Sequence, residues 1–132
     1  VLELIEAAMA REDFRVGIAT SSTREKSEAV LMSAKIPYTQ MAYVTGSDVT
    51  NKKPDPELFL TAADRLGLGP ARCVVIEDAP DGVAAAKAAG CRCVAVTNSV
   101  GREKLVAADW IVSTMDEVGL QTILDLVKGE LG

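Results

Sequence analysis

Apolar and polar positions alternate along this chain with two periods that take turns from end to end. Leu2, Ile5, Ala8 and Met9 recur at helical spacing, which predicts an amphipathic helix over 2–11. RVGIAT (15–20) is a short apolar run and reads as a buried strand. After it, Ser22 and Glu25 stand at capping-box spacing and predict a helix running to about 34. MAYVTG (41–46) reads as the second strand. The next helix has Asp55 as its expected N-cap, Pro56 at its first position and Gly67 at its end. Leu58, Phe59, Ala62, Ala63 and Leu66 would form its buried face.

RCVVI (72–76) is the third expected strand, and PDGVAAAKAAG a helix of small residues closed by Gly90, with Asp81 its simplest N-cap. RCVAVT (92–97), a short helix near 101–107, DWIV (109–112) and a final helix near 116–128 complete the series. Strands separated by helices of this length imply right-handed crossovers and a parallel sheet covered on both faces. The fold class is α/β of the doubly wound kind. No internal repeat, low-complexity stretch or linker divides the chain.

Composition narrows the function. The 132 residues suffice for one domain with a core, and aromatics at 4% leave Ala and Val to fill it. A net charge of −5 argues against a nucleic-acid surface. No apolar run approaches the roughly 20 residues of a bilayer-spanning helix. VLELIEAAMARED is too acidic for a signal peptide, and the chain opens on Val1 rather than Met, as expected of a processed product or a piece of a longer protein. Cys73, Cys91 and Cys93 are odd in number and read as reduced thiols of a cytoplasmic protein, with Cys91 and Cys93 set by strand alternation rather than metal binding. Histidine is absent, which excludes Ser-His and Cys-His nucleophile pairs and His-ligated zinc. Chemistry falls to Asp, Glu, Lys, Ser and Thr.

Ligands of open parallel sheets bind beyond the carboxyl ends of the strands. There the sequence places Thr20-Ser21-Ser22 before a helix, Lys52-Lys53 in the loop after the second strand, and Glu77-Asp78 at the end of the third. Hydroxyls and free N–H groups at a helix start suit an anion, and lysine adds a point charge for phosphate. Paired carboxylates are hard oxygen ligands that Mg²⁺ takes together with a substrate phosphate oxygen. Each group also has a plain reading: capping for Thr20-Ser21-Ser22, a solvated loop for the lysines, a solvated turn for the acids. Their convergence on one sheet edge points to metal-assisted phosphoryl transfer.

VGIATSS, KKPDPELF and VVIEDAPDGVAAAKAAG, in that order, resemble the second, third and fourth motifs of the haloacid dehalogenase superfamily. The likeness is to its phosphoglycolate phosphatase and β-phosphoglucomutase-like branch and runs from about residue 2 to 128. It implies a Rossmann-like three-layer αβα sandwich with a mainly parallel sheet. Carried over residue by residue, Thr20 would bond the transferring phosphoryl group, Ser21 would offer it a backbone contact, and Lys53 would neutralise phosphate and nucleophile. Asp78 with Glu77 would bind Mg²⁺, and Asp81 has no firm counterpart. The family's first motif, Asp-x-Asp-Gly-Thr, supplies the aspartyl nucleophile, and this sequence contains no Asp-x-Asp.

The expectation is therefore a single partial core domain over 1–132, holding motifs two to four without the motif-one strand or the cap domain. The implied activity is that of a Mg²⁺-dependent phosphatase acting on a small phosphate ester through an aspartyl-phosphate, inactive in this chain alone. A phosphomutase is the close variant. A non-catalytic domain that associates with itself or a partner chain is the alternative, because two strand edges would be left exposed.

Overall fold

The computed structural model describes residues 1–129. Its elements follow the expected alternation: α1 (Leu2–Met9), β1 (Gly17–Ala19), α2 (Arg24–Ser33), β2 (Ala42–Val44), α3 (Glu57–Leu66), β3 (Val74–Glu77), α4 (Pro80–Ala89), β4 (Arg92–Val96), β5 (Trp110–Val112) and α5 (Leu120–Lys128). Every strand pair is parallel, with Gly17 opposite Ala42, Val74 opposite Arg92 and Val94 opposite Trp110.

Among the described residues the parallel strands fall into two small sheets, with the two free edges that a missing middle strand would leave. β1 and β2 form a two-stranded sheet, and β3, β4 and β5 a separate three-stranded one. β1 and β3 are each paired on one side only among the described residues. Burial follows from this. Cys93 to Val96 of β4, flanked on both sides, are at most 2% exposed, whereas Ile76 of β3 is 39% exposed.

A shared core ties the two sheets together. Leu58 and Phe59 of α3 and Val83, Ala85, Ala86 and Ala89 of α4 pack with Val44, Cys93 and Ala95, and Ala19 and Val75 lie against them. The alanines of α4 let its backbone come close to β4, as its composition suggests. Across the sheet, Val94 and Val96 join Val112, Val118 and Leu126, with Leu4 and Ile123 alongside. The alternation along β4 thus sends Cys93 and Ala95 to one layer and Val94 and Val96 to the other, which gives the three-layer order. Both Cys91 and Cys93 are buried free thiols. Burial pushes them up to about 11 and about 12, so both stay protonated at neutral pH.

Several helix starts move from their expected places. α2 is capped by Thr23, whose Oγ1 accepts the Lys26 N–H at 3.4 Å, and not by Ser22, whose carbonyl is taken by Gly46 N. α3 starts at Glu57, yet Asp55 still caps it from outside, its Oδ1 accepting the Glu57 N–H at 2.9 Å. α4 starts at Pro80 after Ala79, which places Asp81 inside the first turn rather than at the cap. The expected helix near 101–107 is a 3₁₀ turn, Arg102–Lys104, and the final helix is split into a 3₁₀ turn, Met115–Glu117, and α5.

Candidate functional site

Thr20 directly follows β1, and its N–H still pairs with Val44 O at 3.0 Å. Its Oγ1 accepts the Ser22 N–H at 3.1 Å, which folds Thr20, Ser21 and Ser22 into a tight loop before α2. The loop after β2 is pressed against it. Gly46 N donates to Ser22 O at 2.8 Å, and a Cβ at Gly46 would lie 2.2 Å from Ser21 O. Only glycine permits this approach without pushing the two loops apart.

Asp48 organises the chain leading from β2 toward the lysines. Its Oδ2 accepts from Thr45 N at 2.8 Å and Thr45 Oγ1 at 3.0 Å, and Arg24 Nη2 approaches to 3.0 Å. The Thr45 N–H bond, with the Thr45 hydroxyl and the Arg24 and Arg65 charges, outweighs burial and holds the Asp48 carboxyl below its ordinary value. Farther on, Glu57 accepts from Thr50 N at 2.7 Å and Asn51 N at 3.1 Å, closing the loop over a cis Lys53–Pro54 peptide.

The two lysines then separate in role. Lys52 is exposed, whereas Lys53 is half-buried and donates from Nζ to Glu77 Oε2 at 3.1 Å. The side chains of this pair are only 18% and 11% exposed, and Nζ lies 5.7 Å from the centre of the Phe59 ring. Glu77 Oε1 accepts the N–H groups of Asp78 at 3.1 Å and Ala79 at 3.3 Å. Its carboxylate lies against Gly82 so closely that a Cβ there would sit 2.0 Å from Glu77 Cδ. Both oxygens of Glu77 are therefore engaged within the protein.

Asp78 turns the other way. Its Oδ2 accepts from Ser99 Oγ at 2.7 Å, in the loop beyond β4. Adjacent like charges are thus kept apart: Glu77 is neutralised by Lys53, and Asp78 faces a hydroxyl. The expected residues Thr20, Ser21, Lys53, Glu77 and Asp78 all sit at the carboxyl edge. The structure brings Lys53, Glu77 and Asp78 together, while no hydrogen bond joins Thr20 or Ser21 to them among the described residues. Ser99 was not foreseen. The signal was available, since Asn98 and Ser99 lie beyond the carboxyl end of a strand, as do the other groups.

Hard oxygen donors of this kind fit Mg²⁺. Among the described residues no three metal-ligating side chains converge. Mg²⁺ does not need them, because it keeps several waters and takes one or two carboxylates with substrate phosphate oxygens. No helix among the described residues is long and apolar enough to cross a membrane.

The sequence model of the haloacid dehalogenase-like hydrolases matches residues 1–96. The chain is 37% identical to the validoxylamine A 7′-phosphate phosphatase of Streptomyces hygroscopicus subsp. limoneus, over 78% of its own length and 48% of that protein. It is 33% identical to the β-phosphoglucomutase of Bacillus subtilis, over 85% of its own length and 47% of that protein. Its fold matches the crystal structure of CbbY from Rhodobacter sphaeroides in complex with phosphate. The TM-score is 0.82 at 29% identity, covering 92% of this chain and 56% of that one. The chain spans about half the length of the curated relatives it matches.

Proposed function

This chain belongs to the haloacid dehalogenase-like hydrolase family, and from that premise we propose that its carboxyl edge holds the phosphoryl group of a small phosphate ester for Mg²⁺-assisted transfer. The Thr20 hydroxyl and Ser21 N–H would bond phosphoryl oxygens, and Lys53 would balance their charge. Asp78, with Glu77 behind it, would hold Mg²⁺; when bound, the ion neutralises charge on the phosphoryl group. The observation that supports this reading is the half-buried Lys53 ammonium, held at the strand ends by Glu77 at 3.1 Å beside a second carboxylate. Holding the Lys53–Glu77 pair largely out of water at the strand ends costs desolvation energy, as expected of charges kept there for a ligand.

The aspartyl nucleophile of the family's first motif has no counterpart in this sequence. The reading therefore assigns residues 1–132 phosphate binding and charge neutralisation, in a phosphatase or a phosphomutase, and the free thiols of Cys73, Cys91 and Cys93 favour a cytoplasmic protein. Incubated with Mg²⁺ and an aryl phosphate, the chain should release no more phosphate than an Asp78→Asn control. Inorganic phosphate should broaden its ³¹P line with the chain present, and not with Lys53→Met. Brisk turnover abolished by Asp78→Asn would overturn the assignment of roles, and absence of phosphate binding would overturn the site.

The unpaired edges favour a second reading, association with another copy of the chain. Among the described residues β1 and β3 each offer one row of unpaired backbone groups, and Ile76 is exposed on β3. Light scattering across a hundredfold dilution should show a mass that falls with concentration. A constant monomer mass would rule it out.

A further inference from the structure

We propose that Ser99 is a positioning residue that fixes the Asp78 carboxylate in the orientation the site uses. This inference rests on the phosphoryl-transfer reading above. Glu77 ends β3 and Asp78 follows it in the bend before α4, and their carboxylates take different partners. Glu77 is held by three donors, Lys53 Nζ and the N–H groups of Asp78 and Ala79. The Asp78 carboxylate has one among the described residues, Ser99 Oγ, at 2.7 Å. That is an ordinary, well-formed length for a hydroxyl donating to an oxygen.

An aspartate side chain has two torsions, and a bond to Oδ2 restrains both. Oδ1 is then the atom presented to an incoming cation. Without the bond, no other side-chain contact among the described residues restrains the Asp78 carboxylate. Ser99 is itself placed by the sheet. In the parallel register Glu77 pairs with Ala95, and Thr97 N donates to Val112 O at 3.0 Å, so the loop leaves β4 at the height of Asp78.

A bond that only tied down the loop would restrain Ser99 and leave Asp78 indifferent. Three-bond couplings to Asp78 Cγ, measured by NMR without metal, separate the two roles. The wild-type chain should show one Asp78 rotamer, Ser99→Ala an average of several, and Ser99→Thr the wild-type value again. Mn²⁺ titration in the presence of inorganic phosphate should show affinity falling roughly tenfold in Ser99→Ala and recovering in Ser99→Thr. Ser99 is exposed, so both variants should keep the wild-type amide spectrum elsewhere. An Asp78 rotamer unchanged in Ser99→Ala overturns the proposal whatever the metal does, as does equal Mn²⁺ affinity in wild type and Ser99→Ala. A wild-type chain that takes up no Mn²⁺ tells against the cation reading instead, and the rotamer still decides for Ser99.

Discussion

Glu77→Gln should lower the unfolding free energy by about 3 kcal/mol, and Lys53→Met combined with it should restore stability to within about 1 kcal/mol of wild type. The two side chains are 18% and 11% exposed, so solvent screens the pair little. Glutamine fits the space beside Gly82 that Glu77 occupies. It has one oxygen and one NH₂ group where Glu77 has two acceptors. If the oxygen keeps the Asp78 and Ala79 N–H groups, the NH₂ faces the Lys53 ammonium. Turned over, it faces those two N–H groups. Either way donors oppose donors, and a half-buried ammonium loses its counter-charge.

Lys53→Met removes that ammonium and keeps an apolar stem against Phe59. In the double variant the glutamine amide can then serve the backbone of the turn into α4 without conflict. Urea unfolding of the four proteins measures the coupling directly. A coupling energy near zero would mean that Lys53 and Glu77 merely lie close together. In that case the charge separation between Glu77 and Asp78 would need another cause.

How far this arrangement can be read without a structure depends on the distance over which each residue acts. The place of Thr20, Lys53, Glu77 and Asp78 at the carboxyl edge was legible because strand ends are local features. The partner of each was not. That Glu77 bonds Lys53, and leaves Asp78 to Ser99, depends on Gly82 letting α4 sit against the Glu77 carboxylate. The same holds for helix starts. Ser22 has the right type and spacing for a cap, but its carbonyl answers Gly46 from another loop, so the cap passes to Thr23. The short helix near 101–107 fails for a different reason. Leu105 is fully buried and pulls the chain inward after a single 3₁₀ turn.

The division into two sheets was only half visible. Apolar runs identify strands, and nothing within VGIAT or VVIE states which edge lies beside which. The partial burial of β3 is the physical trace of that division. Its sequence is as apolar as that of β4, yet among the described residues only β4 has a neighbour on both sides.

Asp109 should prove the other position of large effect, with Asp109→Ala costing about 3 kcal/mol, or roughly 10 °C in Tm for a domain of this size. Its Oδ2 accepts from Cys93 N at 2.7 Å and Lys87 Nζ at 2.8 Å, and Arg92 Nη1 lies 3.6 Å from Oδ1. Its own N–H donates to Cys93 O at 2.9 Å, so one residue ties the start of β5, the start of β4 and the last turn of α4. Alanine would strand the Cys93 N–H inside the sheet.

Burial pushes the Asp109 carboxyl upward. Bonds from Lys87 and Cys93 N, with the Lys87 and Arg92 charges, more than offset it and hold the group below its ordinary value of 3.8. Because the folded value is the lower one, the unfolded chain binds the proton first as pH falls. Its contribution is then complete above the unfolded value and drains away as pH drops through 3.8 toward the folded value. Asp48 titrates in the same direction, so the wild-type acid limb has at least two sources. Asp109→Asn should be less stable at neutral pH, and its Tm should fall less steeply than wild type below about pH 4. Parallel acid limbs in the two proteins would mean that Asp109 holds the strands by its shape and not by its charge.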